Sequence, residues 1–437
     1  MDICDWRGID DEIAALEGRI MKGEKVSPFS VMALSPSLAV QYAAAHTWSE
    51  SEFPSNPVLG PVAPHPSGPK IRIGYFSMEF HYSAFAVMST GVFEARDRAA
   101  FEIIAFSFGP NRQDIYRKRL EKIFDRFIDV SNQSDTEIAA LARDLKTDIA
   151  VDLAGHQRNA RPGIFSLRAA LLQVQYQACP MGAADIDYFV TDAIFVPDHL
   201  RPVYQEKIAR IPRLLPSDRS RPQPTRQFTR AELGLPEAGF VYCCFSAPYK
   251  ITPQMFGAWM RILGQVPSSV LWLAARNPTA VANLQDTAQE HGIDPGRLVV
   301  ASYMEAADHL ARHSAADLFL DTRPFNANST TADALWAGLP VITWAGEGVA
   351  GLGSANLLIN IGLGELVTHS LAEYEALAVS LAREPERLAA LKRRLAENRE
   401  SGDIFDVHGY TRNLEKLYAA IFARQQQGLP PADIDII

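Results

Sequence analysis

Three short stretches of this 437-residue chain gather side chains suited to holding an anion or moving a proton. The richest runs Thr322-Arg323-Pro324-Phe325-Asn326-Ala327-Asn328-Ser329-Thr330-Thr331-Ala332-Asp333 and continues to Gly338. Small hydroxyl and amide groups there lead from a strand into a helix, whose free N–H groups and dipole favour an anion such as a diphosphate. Asp333, one turn into that helix, is placed for the hydroxyl pair of a ribose. Ser, Thr and Asn also cap helices everywhere, so plain N-capping is the alternative. The second stretch, Cys243-Cys244-Phe245-Ser246-Ala247-Pro248-Tyr249-Lys250, leaves a buried strand and ends in a compact positive charge. Its alternative is a solvated lysine on a turn. In the third, Asp152-Leu153-Ala154-Gly155-His156, a histidine leaves another strand end. The carboxylate four residues back would orient the imidazole and poise it near neutral pH; a hydrogen-bonded structural histidine is the alternative.

All three stretches lie at strand-to-helix junctions, where open parallel sheets bind their ligands. Ile9, Ile13, Leu16 and Ile20 recur at helical spacing, and a second helix is expected after Ser35 with Pro36 in its first turn. Six prolines between Phe53 and Lys70 make that span an extended linker. Strands are expected at Ile71–Phe76, Glu102–Phe108, Asp148–Leu153, Val174–Tyr176 and Asp187–Val190, with helices near Ala84–Arg96, Ile115–Ile123 and Asp135–Leu145. A second break covers Pro216–Gln227, and Thr229 with Glu232 has the capping-box spacing just beyond it. Strands resume at Phe240–Phe245, Val270–Ala274, Leu298–Ala301, Asp317–Asp321 and Pro340–Thr343, and three helices follow from Leu371 to Arg424. This alternation predicts an α/β protein with parallel sheets. The expected division is a helical segment at 1–52, a linker at 53–70, a Rossmann-like domain at 71–215, a linker at 216–228 and a second Rossmann-like domain at 229–437.

Composition narrows the classes. Acids outnumber bases 51 to 42, a net charge of -9, which disfavours a nucleic-acid partner. No run of 18 apolar residues predicts a membrane span, and the acidic N-terminus does not read as a secretory signal. Four scattered cysteines suit a reduced, cytoplasmic setting. Asp185-Ile186-Asp187 mimics a metal motif inside an apolar strand pattern, and the pair His309/His313 has no third ligand at a recognisable spacing. Walker and Gly-x-Ser-x-Gly motifs are absent, against a P-loop NTPase or a serine hydrolase.

Taken together and in order, these junctions resemble the family 41 glycosyltransferases, which include O-GlcNAc transferases and their SPINDLY-like and bacterial relatives. The resemblance runs from about Lys70 to the end. It is carried by Arg72–Ser77, Asp152–Arg161, Gln173–Asp192, Phe240–Leu273 and above all Leu320–Pro340 with Leu335-Trp336-Ala337-Gly338. It implies a GT-B fold, two Rossmann-like domains facing a cleft, with a nucleotide sugar held mainly by the second. Lys250 then matches the lysine on the donor diphosphate, Tyr249 lies beside it, and His309 lines the nucleotide. Asn328, Ser329 and Thr330 fall in the phosphate-binding turn, and Asp333 matches the ribose-binding acid. His156, oriented by Asp152, falls on the loop facing sugar and acceptor, in the role of acceptor positioning or general base.

The chain departs from the family pattern at several positions. Asn328 stands where a histidine is usual, Ala306 where a lysine is expected, and Leu352 where an arginine is common. A shorter loop, Ala178–Ala183, replaces a Gly-x-Pro-Gly-Thr type, and His81 lies near a family histidine while Ser83 aligns with it. The tetratricopeptide array of O-GlcNAc transferases is missing, so acceptor docking falls to the cleft, to an accessory protein or to the arginine-rich linker. The expected activity is inverting, metal-independent transfer, without a cofactor, of a sugar (GlcNAc first) from a UDP-sugar to Ser or Thr of an acceptor protein. Pro324-Phe325 also resembles the family's asparagine-glycosylating branch, which keeps asparagine-linked transfer open. Small-molecule glycosyl transfer and a non-catalytic nucleotide-binding role are the further alternatives.

Overall fold

The computed structural model describes residues 1–66, 68–176, 182–216 and 226–436. Residues 178–181 of the shortened loop and most of the Pro216–Gln227 break lie outside the described residues. Seven described strands precede residue 211: β1 Ile71–Ser77, β2 Phe101–Ser107, β3 Arg126–Asp129, β4 Ile149–Asp152, β5 Leu172–Tyr176, β6 Tyr188–Thr191 and β7 Lys207–Arg210. Six more follow, β8 Val241–Cys244, β9 Val270–Leu273, β10 Leu298–Val300, β11 Leu318–Leu320, β12 Val341–Trp344 and β13 Val367–Thr368, and then a short β14 at Ile434–Asp435. They form two sheets, ordered β14-β7-β6-β5-β4-β1-β2-β3 and β10-β9-β8-β11-β12-β13. Every strand pairing is parallel.

The chain divides into two compact units. The first sheet belongs with residues 16–31, 37–219 and 405–437, and the second with 1–15, 32–36 and 220–404. The last 33 residues thus belong with the first sheet, whereas the sequence pattern left them with the second. Their helix, Val407–Gln426, packs on Ala84–Glu94, and β14 extends the first sheet.

In the first unit, helices on a parallel sheet bury both of its faces, so its inner strands are continuous apolar runs. Phe76 and Phe106 stack with ring centres 4.4 Å apart and planes nearly parallel, and Phe165 meets Phe76 edge-on. They belong to a core that includes Ile104, Ile138, Ala150 and Ile164. Gly74 is required beside them, because a Cβ there would stand 2.9 Å from the Thr147 methyl and 3.0 Å from the Phe106 ring. Ser134 and Glu137 close a capping box on helix Asp135–Asp144, and Asp114 caps Ile115–Ile123.

In the second unit, Trp259 and Trp272 are fully buried, on helix Pro253–Gln265 and on β9. The Trp259 indole donates to the Tyr374 hydroxyl, which in turn donates to the Asp321 carbonyl at the end of β11.

Several boundaries differ from expectation. The helix expected after Ser35 begins at Leu38 with Ser37 as its cap, and Pro36 precedes it. A seven-residue helix, Pro28–Leu34, and the strands β3, β7, β13 and β14 had no counterpart in the sequence pattern. The Thr229–Glu232 box forms, but it caps only a short turn at Ala231–Leu233. Among the described residues no helix is long and apolar enough to cross a membrane.

Candidate functional site

Strand order in the second sheet reverses between β8 and β11, since β8 is followed outward by β9 and β10 while β11 is followed by β12 and β13. Crossover helices on the two sides of such a point leave a crevice beyond the carboxyl ends of its strands. The turn Pro248–Lys250 follows β8, and the Asp321–Asn328 loop leads from β11 into helix Ser329–Trp336. Lys250 and the hydroxyl-rich loop, far apart in sequence, therefore meet.

Lys250 is 9 % exposed and its Nζ donates 2.7 Å to the Asn326 carbonyl. The same ammonium lies 3.9 Å from the centre of the Phe325 ring. Among the described residues it has no other hydrogen-bond partner, so two of its three N–H groups remain for a ligand. Burial pulls its pKa from 10.5 to about 8, opposed by the charge of Asp321. Tyr249 is half-buried, its ring 6.4 Å from Phe325.

Asp321 shapes the loop from below. Its carboxylate accepts from the Ala327 amide at 2.7 Å and from the Thr343 hydroxyl at 2.6 Å, and burial raises its pKa. The Asn326 side chain donates to the Thr322 carbonyl, and its backbone amide donates to the Ala350 carbonyl. Asn328 turns the chain with φ 50° and leaves the helix without a side-chain cap. Its Oδ1 sits against Gly353, where a Cβ would come within 1.4 Å of it. Ser329, Thr330 and Asp333 are partly exposed on the first turns, while Thr331 is buried and shares a hydrogen bond with Ser354 at 2.7 Å. The Thr330 amide donates to the Ala327 carbonyl at 3.2 Å, and among the described residues the Ser329 and Thr331 amides of this turn remain for an anion.

His309, on helix Ala306–Arg312, has its ring 5.6 Å from Phe245, the first residue beyond β8, and 4.9 Å from His313. Burial, then the charges of His313, Arg312 and Arg276, push its pKa down to about 2. It presents a neutral ring, a stacking and hydrogen-bonding surface rather than a cation.

The first sheet reverses its order between β1 and β4, and both flanking loops carry polar groups. Asp152, the last residue of β4, does not orient His156. Its oxygens accept the Ala154 and Gly155 amides at 2.9 and 3.0 Å, and burial raises its pKa to about 6. The carboxylate shapes its own turn, and its hydrogen-bond partners among the described residues are these two amides rather than the ring. His156 is instead 8 % exposed with Nε2 3.5 Å from the Ser49 hydroxyl on helix Leu38–Glu52. After β1, the Ser83 hydroxyl is occupied as the cap of Ala84–Glu94, and His81 Nδ1 lies 3.0 Å from the Tyr82 carbonyl. The Asp185/Asp187 motif is structural: Asp187 pairs with Arg168, and Asp185 accepts from Ser55. Among the described residues no three His, Cys, Asp or Glu side chains are grouped to hold a metal ion.

Two residues of these sites had no assigned role at the sequence level. Asp321 was legible as an acid closing an apolar strand before a polar loop. Ser49 carried no signal, since only folding brings its helix to the β4 loop.

The chain is 29 % identical over 461 residues to the probable UDP-N-acetylglucosamine–peptide N-acetylglucosaminyltransferase SEC of Arabidopsis thaliana, spanning all of this chain and 47 % of that one. The chain spans about half the length of the curated relatives it matches first. Among solved structures, a mutant O-GlcNAc transferase of Thermobaculum terrenum superimposes with a TM-score of 0.78 at 29 % identity, over 89 % of this chain and 74 % of that one. Sucrose-phosphate synthase of Thermosynechococcus elongatus shares the fold alone, with a TM-score of 0.53 at 14 % identity over 81 % of this chain and all of the other. The two parallel α/β sheets are those of a GT-B glycosyltransferase. Residues 61–218 and 217–414 both match glycosyl transferase family 41, and the chain belongs to that family.

Proposed function

We propose that this chain transfers a sugar, GlcNAc first, from a UDP-sugar to Ser or Thr hydroxyls of polypeptides, with inversion and without a metal ion. The observation that carries the reading is Lys250, a buried ammonium at the switch point with two N–H groups unspent, beside a helix end that no side chain caps. Breaking the sugar–phosphate bond places new negative charge on the diphosphate. Preorganised donors in a low-dielectric site stabilise that charge without a divalent ion. Ser329 and Thr330 add hydroxyl donors, Asp333 accepts from the ribose, and neutral His309 packs against the nucleoside. The acceptor oxygen forms the new bond to the anomeric carbon while its proton leaves to a base, a role we assign to His156. Relatives named as UDP-N-acetylglucosamine–peptide N-acetylglucosaminyltransferases support the donor and the acceptor class.

The test is a panel of nucleotide sugars offered to purified protein with a cell lysate, with and without EDTA, read by glycopeptide mass spectrometry. An N-acetylhexosamine on Ser or Thr, unaffected by EDTA and absent with Lys250→Ala, is the expected result. Modification of asparagine, or loss of transfer with EDTA, would overturn the linkage or the metal-free mechanism respectively.

Lys250 also sets a pH dependence. Its folded pKa of about 8 lies below its ordinary 10.5. The unliganded protein therefore binds fewer protons than the unfolded chain between those values, and stability rises with pH across that window. A bound diphosphate favours the charged ammonium. UDP binding should take up on the order of half a proton near pH 8 and weaken as pH rises beyond it. Calorimetry in two buffers of different ionisation enthalpy measures the uptake; equal heats in both would remove Lys250 from the diphosphate.

A further inference from the structure

Next to the switch point the second unit holds a cavity of about 590 Å³, walled by Ile13, Leu34, Pro36, Pro253 and Pro324. Arg323 and Asp10 are its charged lining residues. We propose that this cavity is the docking groove for the acceptor polypeptide and that Arg323 selects an acidic side chain flanking the modified residue. The inference rests on the function proposed above and names what holds that substrate beside the donor.

Position is the first ground. Thr252 and Pro253, in the wall, follow Lys250 by two and three residues, and Arg323 precedes Phe325 by two. Two residues of chain span at most about 7 Å. The wall of the groove is therefore within a few residues of chain of the ammonium assigned above to the diphosphate, the side from which an acceptor would approach.

The chemistry of the wall is the second. The Arg323 guanidinium lies 3.8 Å from the centre of the Trp344 ring, and its Nε is buried with no hydrogen-bond partner among the described residues. No carboxylate among the described residues lies within ion-pair distance of it. Burial lowers its pKa while the more distant Glu347 opposes that shift, so the cation is held partly desolvated without direct neutralisation. Stacking on indole fixes the plane of the fork and leaves its edge for a bidentate carboxylate. Asp10, the acid on the rim, is exposed, so its repulsion is screened by solvent.

The remaining walls are prolines and aliphatic side chains, with the Thr252 and Gln254 side chains as the polar exceptions. An apolar trough with a cation at one point fits a short extended peptide carrying one acid. The volume is that of a small-ligand pocket, too small for a folded partner to enter.

The test uses fluorescent peptides carrying one Ser or Thr, with a single Glu walked through the flanking positions and Gln in its place as control. Binding by anisotropy and transfer as kcat/KM are read for the wild type, Arg323→Gln, Arg323→Lys and Ile13→Trp, with UDP affinity and thermal midpoint measured alongside. At one flanking position the Glu peptide should bind about tenfold more tightly than its Gln control in the wild type. Arg323→Gln should erase that ratio with UDP affinity unchanged, and Arg323→Lys should keep part of it. Ile13→Trp, which fills the trough, should weaken both peptides equally.

An absent Glu preference in the wild type, or one that survives Arg323→Gln, would overturn the proposal. Loss of UDP affinity in Arg323→Gln would place the residue on the donor instead and overturn it too. A wild type that binds Glu peptides selectively yet transfers no sugar would overturn the catalytic reading while leaving the groove.

Discussion

Lys250→Ala is expected to lower turnover by roughly 10²–10³-fold, the cost of removing one preorganised donor from a developing anion. The same substitution should leave the thermal midpoint unchanged or raise it. In the unliganded protein Lys250 is a desolvated cation held by one carbonyl and one aromatic face, with its pKa drawn down to about 8. A buried charge without an ion-pair partner is a weak source of stability. Activity and stability should therefore move in different directions, which separates a catalytic role from a structural one. A parallel fall of both would mean that Lys250 only props the Asn326 turn. Lys250→Arg should not rescue, because a planar guanidinium is larger than the slot between the Asn326 carbonyl and the Phe325 ring.

The largest loss of stability is expected for Asp321→Ala. Its carboxylate accepts from the Ala327 amide and the Thr343 hydroxyl in a fully buried setting. Two buried donors left unsatisfied cost roughly 1–3 kcal/mol each, so the loss should reach about 2–6 kcal/mol in urea unfolding. Asp321 also supports the charge on Lys250. Without it the lysine pKa falls further, and UDP affinity at pH 8 should drop together with stability. Asp321→Asn keeps one acceptor and the shape, and should lose less of each. A variant as stable as the wild type would show that the loop is held by Asn326 and Ser354 instead.

The inner strands were legible because a parallel strand covered on both faces is a run of apolar residues, as in Ile71–Ser77 and Val241–Cys244. The short edge strands were not. Arg126-Phe127-Ile128-Asp129 and Lys207-Ile208-Ala209-Arg210 begin and end on charges and read as loop. Their strand character comes from a neighbouring backbone that local sequence does not display. The same limit applies at the sites. Ser329, Thr330 and Lys250 could be picked out by residue type at strand ends, and the sheet order supplies the reason they converge. The Asp152–His156 pairing was misread because spacing cannot show that the carboxylate turns towards the amides two and three residues on. Arg323 was visible as a residue but not as an isolated charge, since its stacking on Trp344 joins the ends of two different strands.

The short strand β14 has a practical consequence. Ile434 and Asp435 pair with Ala209 and Arg210, and the Ile436 amide donates to the Arg210 carbonyl at 2.8 Å. β7 would otherwise be the outermost strand on that side, its row of amides and carbonyls open to solvent. A version of the chain shortened to end near Gly428 would uncover that row and offer a template on which a second molecule can add a strand. Such a protein should stay folded, with its helix Val407–Gln426 intact, yet self-associate and precipitate as its concentration rises. Affinity tags and fusion partners placed here should therefore follow Ile437 through a spacer rather than replace residues 429–437.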